Sequence, residues 1–497
     1  MSTPLVHTTV DLEAYFKSFR NNIIGIDQNF QSPYGQQTIL YADWTASGRL
    51  YDPIERKMMK ELGPFVANTH TRTTVSGNAM THAYHEAREI IKNHVNASSD
   101  DVLITTGTGM TGAVNKFQRI LGLKVPEQIH EYLEIKEEDR PIVFISHMEH
   151  HSNQTSWLET KAKVVVIPCD AEGLFSLDNF KALLKKYADE KALKIASITS
   201  CSNVTGIKTP YYEVAKLMHQ NDGLCFVDFA CSGPYIDIDM HPEDQEAYLD
   251  AIFLSPHKFL GGPGSSGVLL FNKKLYRNLV PDCPGGGTVT WTNPWGSHRY
   301  IDDIEEREDG GTPGFLQVIR TSLAMKLKEQ MGVENILKRE EELLSYLFSR
   351  LKSEKEVFIL AGQHEDRLGV VSFNIGKLHF DLAVKILNDR FGIQSRGGCS
   401  CAGTYGHYLL GIDQQSSDSI ISDVESGNIL LKPGWVRISI HPTTTNEEMK
   451  QLCDGIIALA HNWQQWKEDY TYEKGIFTHK DEEVDPSVSL SANWFKL

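Results

Sequence analysis

Short apolar runs rich in β-branched residues alternate with stretches of helical periodicity between residues 102 and 271. Runs of four to eight such residues predict strands, and an apolar period of 3.6 predicts helices. Their alternation predicts a large, mostly parallel sheet of seven strands covered by helices on both faces. The predicted strands span 102–105, 142–146, 164–168, 195–199, 225–228, 251–254 and 267–271, with helices at 113–121, 177–186 and 213–220.

The pattern changes at residues 283–314, where glycine, proline and tryptophan replace the strand–helix alternation and predict a loop-rich crossing. A smaller α+β unit should follow, with helices at 317–331 and 333–352 and strands near 370–374 and 436–440. We expect an N-terminal segment packed with the small domain, a large α/β domain, a small C-terminal α+β domain and a polar extension, at 1–40, 41–314, 315–467 and 468–497 respectively.

Composition narrows the class of partner. The 49 Lys and Arg against 65 Asp and Glu give a net charge of −16, which argues against nucleic acid or an anionic membrane as the main partner. No apolar run approaches the roughly 18 residues of a membrane span, and the first residues lack a signal-peptide pattern. Most of the eight cysteines lie in apolar strand-like segments, as is typical of buried thiols in a reducing compartment. We expect a soluble, cytoplasmic protein.

Sites on such sheets lie at the carboxyl ends of the strands, so the residues after each predicted strand carry most information. The segment 105–112 reads TTGTGMTG and leads into a helix. Glycines there let the backbone approach a phosphate at the helix N-terminus. The spacing of Gly107, Gly109 and Gly112 also matches a dinucleotide fingerprint, but the next strand ends more than thirty residues on, too far for the expected acidic residue. Phosphate binding is favoured, and a simple tight turn remains an alternative.

The segment after the second strand, 146–153, reads SHMEHHSN and holds His147, His150 and His151. The spacing fits neither a zincin nor a complete deaminase signature, so no metal is expected. A flat imidazole at a strand end could stack on an aromatic cofactor. Structural or surface histidines, and less readily metal ligands, remain alternatives.

Asp228 ends the fifth predicted strand, and Lys258 follows the sixth between apolar residues. A carboxylate behind an apolar strand needs a cationic partner, and a desolvated lysine becomes nucleophilic towards an aldehyde. Pyridoxal phosphate needs a lysine, a carboxylate for its ring nitrogen, a phosphate cradle and a stacking partner. All of these occur on successive strand ends, which predicts this cofactor.

Four segments lie at or just after the predicted strands: MEHHSN at 148–153, SNVTG at 202–206, VD at 227–228 and SPHK at 255–258. Together they resemble the class V aminotransferase family of fold-type-I pyridoxal phosphate enzymes, and most closely its cysteine desulfurase and selenocysteine lyase-like branch. The resemblance covers about residues 38–460 and implies the fold-type-I transferase fold, with a large seven-stranded α/β domain and a smaller α+β domain.

The resemblance also implies residue roles. Lys258 would carry the cofactor and shuttle protons, Asp228 would hold the ring nitrogen, and His150 would stack on the ring. Asn203 and Arg437 would bind the substrate carboxylate, for which arginine offers two parallel hydrogen bonds. The phosphate would be held by Gly109, Met110, Thr111, Ser255 and His257. Two positions depart from the family pattern: Cys231 stands where a glutamine faces the ring hydroxyl, and Thr74 where the desulfurases have a histidine.

The segment 396–403, RGGCSCAG, resembles the mobile loop that supplies the desulfurase nucleophile, with Cys401 in the reactive position. This implies conversion of L-cysteine to L-alanine with a persulfide on Cys401. The Cys-x-Cys arrangement resembles molybdenum cofactor sulfurases, so Cys399 could resolve the persulfide or act as the nucleophile. Two alternatives stay open, namely an aminotransferase, lyase or epimerase in which both cysteines are incidental, and a nucleotide-binding oxidoreductase.

The family resemblance extends to partners. It implies a homodimer with shared active sites, in which segments 285–288 and 299–312 reach the phosphate of the partner subunit. The substrate would be a small L-amino acid, and a sulfur-acceptor protein could take the product.

Overall fold

The computed structural model describes residues 11–71, 73–107, 109–133, 135–426, 429–473, 475–482 and 486–496. The chain forms two compact units. The larger unit contains residues 45–330 and 399–417, and the smaller contains residues up to 44, 331–398 and those from 418. The four-part division expected from the sequence stays a prediction. Within the described residues, no helix has both the length and the apolar character that a membrane crossing requires.

The described strands are β1 (Asn29–Ser32), β2 (Gly35–Thr38), β3 (Leu40–Tyr41), β4 (Asp101–Thr106), β5 (Ile142–Ser146), β6 (Lys163–Ile167), β7 (Lys194–Thr199), β8 (Leu224–Asp228), β9 (Ala251–Leu254), β10 (Gly267–Asn272), β11 (Val289–Thr292), β12 (His298–Tyr300), β13 (Val357–Ile359), β14 (Val370–Ile375), β15 (Ile393–Gln394), β16 (Arg396–Gly398), β17 (Trp435–Ser439), β18 (Tyr470–Glu473) and β19 (Ile476–His479).

The described α-helices are α1 (Leu12–Arg20), α2 (Asp52–Arg56), α3 (Val75–His94), α4 (Gly109–Ile120), α5 (Glu127–His130), α6 (His151–Leu158), α7 (Leu177–Lys186), α8 (Tyr211–His219), α9 (Ile304–Arg307), α10 (Phe315–Met331), α11 (Val333–Leu351), α12 (Phe380–Phe391), α13 (Gly403–Leu410), α14 (Gln414–Glu425), α15 (Asn446–Trp466) and α16 (Pro486–Trp494).

The larger unit is built on a seven-stranded sheet in the order β4-β10-β9-β8-β7-β5-β6. Strands β6, β5, β7, β8 and β9 run parallel, and β10 pairs antiparallel with β9 and β4. All residues of β5 and β7 are buried, as expected for strands covered on both faces. The predicted α/β fold with a mostly parallel seven-stranded sheet is confirmed, with strand limits within one residue of those expected.

One face of this sheet packs against α4 through aromatic side chains. The Phe117 ring lies 5.1 Å from the Phe226 ring and 4.9 Å from the Phe271 ring, measured between centroids. All three side chains are fully buried. This packing fixes the helix whose N-terminus follows β4, and with it the glycine-rich segment singled out in the sequence.

The smaller unit contains the antiparallel sheet β13-β14-β17-β16. Its core includes the apolar faces of α11, α12 and α15. A capping box between Thr445 and Glu448 begins α15. Glu448 also receives two hydrogen bonds of 2.7 Å from the Arg20 guanidinium, which ties α1 into the same unit. Helix α1 is therefore part of the smaller unit's packing.

Candidate active site

Asp228 and Lys258 follow adjacent parallel strands and so come to the same edge of the sheet. Asp228 ends β8, and Lys258 ends the short 3₁₀ turn Pro256–Lys258 after β9. The Asp228 carboxyl is buried, and its Oδ1 accepts a hydrogen bond of 2.8 Å from the Ala230 N–H. Burial raises the pKa of this carboxyl to about 6, while the Lys258 charge acts to lower it. A buried acid of this kind suits a partner that carries a positive charge or a proton.

The segment that leads into α4 is shaped for close packing. Gly109 has a φ of 62°, in the left-handed region that favours glycine. A Cβ there would lie 3.1 Å from both Ser255 Oγ and His257 Cε1, so a side chain would crowd these groups. The Met110 N–H donates to Ser255 Oγ at 2.9 Å. Since a helix N-terminus favours an anion, Gly109, Met110 and Ser255 form a suitable phosphate cradle.

His257 and Thr111 flank this cradle. Burial first, and the Lys258 charge second, lower the pKa of His257 to about 4. Before a phosphate binds, the imidazole is therefore neutral at neutral pH, and it can donate a hydrogen bond to an anion. The Thr111 hydroxyl lies 2.6 Å from the Ser152 hydroxyl, so the first turns of α4 and α6 meet at the cradle.

The three clustered histidines have separate environments. His147 is buried, its Nε2 lies 3.1 Å from the Gly173 carbonyl, and burial lowers its pKa. His150 is half-buried and caps α6, with its Nδ1 accepting the Ser152 N–H at 3.1 Å, so the neutral ring carries its proton on Nε2. No group of three or more His, Cys, Asp or Glu able to hold a metal occurs within the described residues.

Glu149 is a buried carboxyl that the sequence reasoning missed. It accepts hydrogen bonds from the Asn153 side chain at 2.8 Å, the Thr199 N–H at 2.9 Å, and the N–H and hydroxyl of Ser146. Four donors favour the ionised form, while burial raises the pKa of Glu149 to about 7. The carboxyl joins the ends of β5 and β7 immediately before His150. A charged residue at the end of an apolar strand is the sequence signal that could have found it.

The two candidate nucleophiles lie in one tight turn, residues 399–402, which we call the cysteine turn. The Ala402 N–H donates to the Cys399 carbonyl at 3.0 Å, and the central residues Ser400 and Cys401 have φ values of 51° and 55°. Glycine and asparagine usually fill such left-handed positions, and other residues there cost about 1–3 kcal/mol each. The Cys401 side chain is exposed, whereas Cys399 is half-buried. The strained turn thus presents Cys401 to solvent.

Hydrogen bonds fasten the cysteine turn to the larger unit. The Asn203 side-chain Nδ2 donates to the Ser400 carbonyl at 2.7 Å. The His151 N–H donates to the Cys401 carbonyl at 2.7 Å, and the His151 ring Nε2 accepts the Gly403 N–H at 2.9 Å. Because His151 is the first residue of α6, the turn is bonded directly to the helix that His150 caps.

A further pair of hydrogen-bonded side chains, Gln154 and Thr404, lies just beyond the cysteine turn. Gln154, also in α6, donates through Nε2 to the Thr404 hydroxyl at 2.6 Å, and the hydroxyl lies 2.9 Å from Gln154 Oε1. The Tyr405 hydroxyl lies 3.3 Å from that of Thr205, in the segment that carries Asn203. The first turn of α13 is therefore held by two of the elements that hold the cysteine turn.

The two positions that depart from the family pattern also have defined places. Cys231 is buried three residues after Asp228, and its Sγ lies 3.8 Å from both the Cys201 Sγ and the Ser202 carbonyl oxygen. Thr74 caps α3, where its hydroxyl accepts the Gly77 N–H at 3.3 Å. Cys231 thus lies beside the strand-end site, and Thr74 begins a helix.

Arg437 lies in the smaller unit, on β17. Its side chain is buried, and its Nη2 is 2.8 Å from Asp43 Oδ1. The other Asp43 oxygen contacts the Arg396 guanidinium at 2.9 Å. Asp43 therefore pairs with two arginines. The substrate-binding role of Arg437 stays a prediction, as do the roles of the other site residues.

The residues at the sheet edge fit pyridoxal phosphate. Lys258 is placed beside a buried acid, Asp228, whose raised pKa reflects burial without full compensation. Gly109 begins α4, and a side chain at this position would crowd the anion cradle. His150 supplies a half-buried imidazole with a defined tautomer. This set provides a carboxylate for the ring nitrogen, an amine, an anion cradle and a flat ring.

Comparisons with known proteins identify the family. The family model described as aminotransferase class-V matches residues 40–452. A protein of Halalkalibacterium halodurans named "Probable cysteine desulfurase" is 31% identical over 340 residues, covering 68% of this chain and 77% of its own. One of the same name from Staphylococcus aureus strain Mu50 is 26% identical over 370 residues, covering 73% and 83%.

Solved structures agree with the fold. An apo cysteine desulfurase from Thermococcus onnurineus superposes with a TM-score of 0.69 at 22% identity, covering 85% of this chain and 95% of its own. A cysteine desulfurase from Escherichia coli gives 0.69 at 20% identity, covering 89% and 98%. The likeness confirms the expected fold type. The extent of the family match and the identity to the H. halodurans protein show that the chain belongs to the class V aminotransferase family of pyridoxal phosphate-dependent enzymes.

Proposed function

We propose that the protein is a cysteine desulfurase-like enzyme that converts L-cysteine to L-alanine and takes the sulfur onto Cys401. The observation that carries this proposal is the exposed Cys401 in a strained turn bonded to α6, the helix capped by His150. Strained backbone that persists in a fold marks functional sites. The names of the two bacterial relatives support the same activity.

The chain's own residues would hold the cofactor. Asp228 would pair with the ring nitrogen and His150 would stack on the ring, with Cys231 beside the ring hydroxyl. The phosphate would sit against Gly109, Met110, Thr111, Ser255 and His257. When bound, pyridoxal phosphate draws electrons from the reacting carbon of an amino acid.

Lys258 and Cys401 would perform the protein's share of the chemistry. Lys258 would attach the cofactor and move protons at the substrate carbon. The Cys401 thiolate would take the sulfur, because a thiolate and not a thiol is the nucleophile. Overall, the carbon–sulfur bond of L-cysteine is replaced by a sulfur–sulfur bond on Cys401. The hydrogen lost from the Cys401 thiol is matched by the hydrogen gained in the methyl group of L-alanine.

Substrate orientation would fall to Asn203 and Arg437, through the substrate carboxylate. Arginine suits this role because its planar guanidinium can form two parallel hydrogen bonds. A homodimer with shared sites and a sulfur-acceptor protein complete the proposal, with 285–288 and 299–312 as the segments that would reach the partner subunit.

The test is to measure alanine and sulfide formed from L-cysteine by the wild type, Cys401→Ser and Cys399→Ser. Cys401→Ser should lose sulfide release and carry no persulfide in peptide mass spectra, while Cys399→Ser should keep the Cys401 persulfide. Loss of activity in Cys399→Ser alone would make Cys399 the nucleophile. Equal turnover in all three proteins would eliminate persulfide chemistry and favour another lyase or aminotransferase reaction.

A further inference from the structure

His151 has no role in the chemistry proposed above, yet it contacts the cysteine turn at Cys401 and the chain just after the turn at Gly403. Its backbone N–H donates to the Cys401 carbonyl at 2.7 Å. Its ring Nε2 accepts the Gly403 N–H at 2.9 Å. One residue thus holds the chain on both sides of Ala402, immediately after the candidate nucleophile.

We infer that His151 is the positioning residue of the nucleophile, holding Cys401 in its left-handed conformation through these two hydrogen bonds. This inference rests on the proposed function, since it assigns His151 a part in presenting the Cys401 sulfur to substrate. His151 acts through the turn and does not touch the reacting atoms.

The backbone contact of His151 involves Cys401, so the two cysteines differ in how they are held. Cys401 carries the bonded carbonyl and a φ of 55°, whereas the Cys399 carbonyl is used within the turn by the Ala402 N–H. A left-handed L-residue returns readily to the extended or helical regions unless its neighbours hold it. Loss of the His151 ring contact should therefore change the surroundings of Cys401 more than those of Cys399.

The geometry also links the turn to the cofactor side of the site. His150 and His151 are consecutive, so the residue that would stack on the cofactor and the residue that holds the turn share one peptide bond. Glu149, which precedes them, fixes this segment to the ends of β5 and β7 through buried hydrogen bonds. The position of Cys401 is thereby set relative to a segment that is itself rigidly held.

The ring contact predicts which substitutions succeed. Because Nε2 accepts a hydrogen bond, the neutral ring carries its proton on Nδ1. Glutamine places its acceptor oxygen at nearly the same reach as Nε2, so His151→Gln should keep the Gly403 contact. Asparagine is polar but shorter, and leucine has no acceptor. His151→Asn and His151→Leu should therefore both lose the contact.

The test measures iodoacetamide alkylation in the pyridoxal phosphate-loaded protein, residue by residue, by peptide mass spectrometry. Exposed Cys283 serves as the internal standard. In His151→Leu and His151→Asn the Cys401 rate should rise about fivefold, as expected for one lost hydrogen bond of typical strength, with Cys283 unchanged. His151→Gln should match the wild type. Leu158→Ala, which alters an exposed side chain of the same helix, is the matched control.

Kinetics separate positioning from a merely structural role. Sulfide release by His151→Asn should show a lower kcat with KM within about twofold of the wild type, because the turn acts on the chemical step and not on substrate binding. Wild-type alkylation and kcat in both His151→Asn and His151→Leu would overturn the inference, as would a glutamine variant as impaired as the asparagine one.

The alkylation readout does not depend on turnover. If no protein, wild type included, releases sulfide while the Cys401 rate still follows the Leu, Asn and Gln series, the proposed desulfurase activity fails and the role of His151 in holding the turn stands. If His151→Leu does not fold, the Gln and Asn variants alone decide the outcome, because both keep a polar side chain at this position.

Discussion

The strand-end edge and the cysteine turn lie in the same compact unit but are fixed in different ways. The edge is built from buried strands, and its acids Asp228 and Glu149 receive hydrogen bonds from neighbouring backbone and side chains. The turn is exposed at Cys401, strained at two residues and held by single hydrogen bonds. A cofactor needs a rigid binding site, whereas a nucleophile that must release its sulfur needs a segment that can move.

The largest effect should come from the fixed edge. Lys258→Ala removes the amine that would attach the cofactor and move substrate protons, so turnover should fall by about 10²–10⁴-fold. Alkylation of Cys401 should be unchanged, because the turn does not depend on this side chain. Turnover is measured as alanine release, with exposed Lys274→Ala as the control. Near-normal turnover in Lys258→Ala would refute the assignment.

The next effect concerns the buried carboxyl of Asp228. The pKa of the Asp228 carboxyl is about 6, above the ordinary value of 3.8. The folded protein therefore loses stability as pH rises from about 4 to 6, because this carboxyl must ionise while buried. At 1.36 kcal/mol per pKa unit the full penalty is about 3 kcal/mol at pH 7.

Cofactor-free Asp228→Asn should therefore be more stable than the wild type at pH 7 and lose this advantage at pH 4. Thermal unfolding at both pH values measures the difference, with exposed Asp222→Asn as the matched substitution. An advantage that is equal at both pH values would contradict the assigned pKa.

A smaller effect is expected at the phosphate cradle. Gly109→Ala forces a left-handed alanine, at a cost of about 1–2 kcal/mol, and crowds Ser255 and His257. Cofactor affinity should fall about tenfold, since 1.4 kcal/mol is a factor of ten. Absorbance titration with pyridoxal phosphate measures it. Gly107→Ala is the control, because a Cβ there meets nothing within 4 Å. Equal affinities for the two variants would place the phosphate elsewhere.

The smallest effect should come from the edge of the turn. Gln154→Ala removes the hydrogen bonds to Thr404, whose net contribution is about 0.5–1.5 kcal/mol, so amide exchange at 399–404 should accelerate about two- to tenfold. Cofactor affinity should stay unchanged. Hydrogen exchange followed by mass spectrometry gives both the site and the size of the effect. If exchange is unaltered, the turn is held without this pair.

The strand-end positions of Asp228 and Lys258 could be predicted from sequence because they follow from local pattern. Each apolar run ends at a residue whose place on the sheet edge is fixed by the parallel order, so Asp228 and Lys258 needed no tertiary information. The contacts of the cysteine turn could not be predicted in this way. Asn203 and Ser400 are 197 positions apart, and His151 and Gly403 are 252 apart.

The left-handed conformations of Ser400 and Cys401 are also invisible to local rules, which assign such positions to glycine or asparagine. Tertiary hydrogen bonds override that preference here. Residues 399–417 belong to the larger unit although the chain on either side belongs to the smaller one, and a linear pattern of apolar positions carries no sign of such an excursion.

The composition of the phosphate cradle determines how salt should affect cofactor binding. The cradle would bind a phosphate through amide dipoles, hydroxyl groups and the His257 imidazole, at distances far shorter than the Debye length of about 8 Å in physiological salt. At long range the net charge of −16 repels the same anion, and added salt screens that repulsion. The cofactor should therefore stay bound through high-salt purification, and concentrated salt should hasten its uptake.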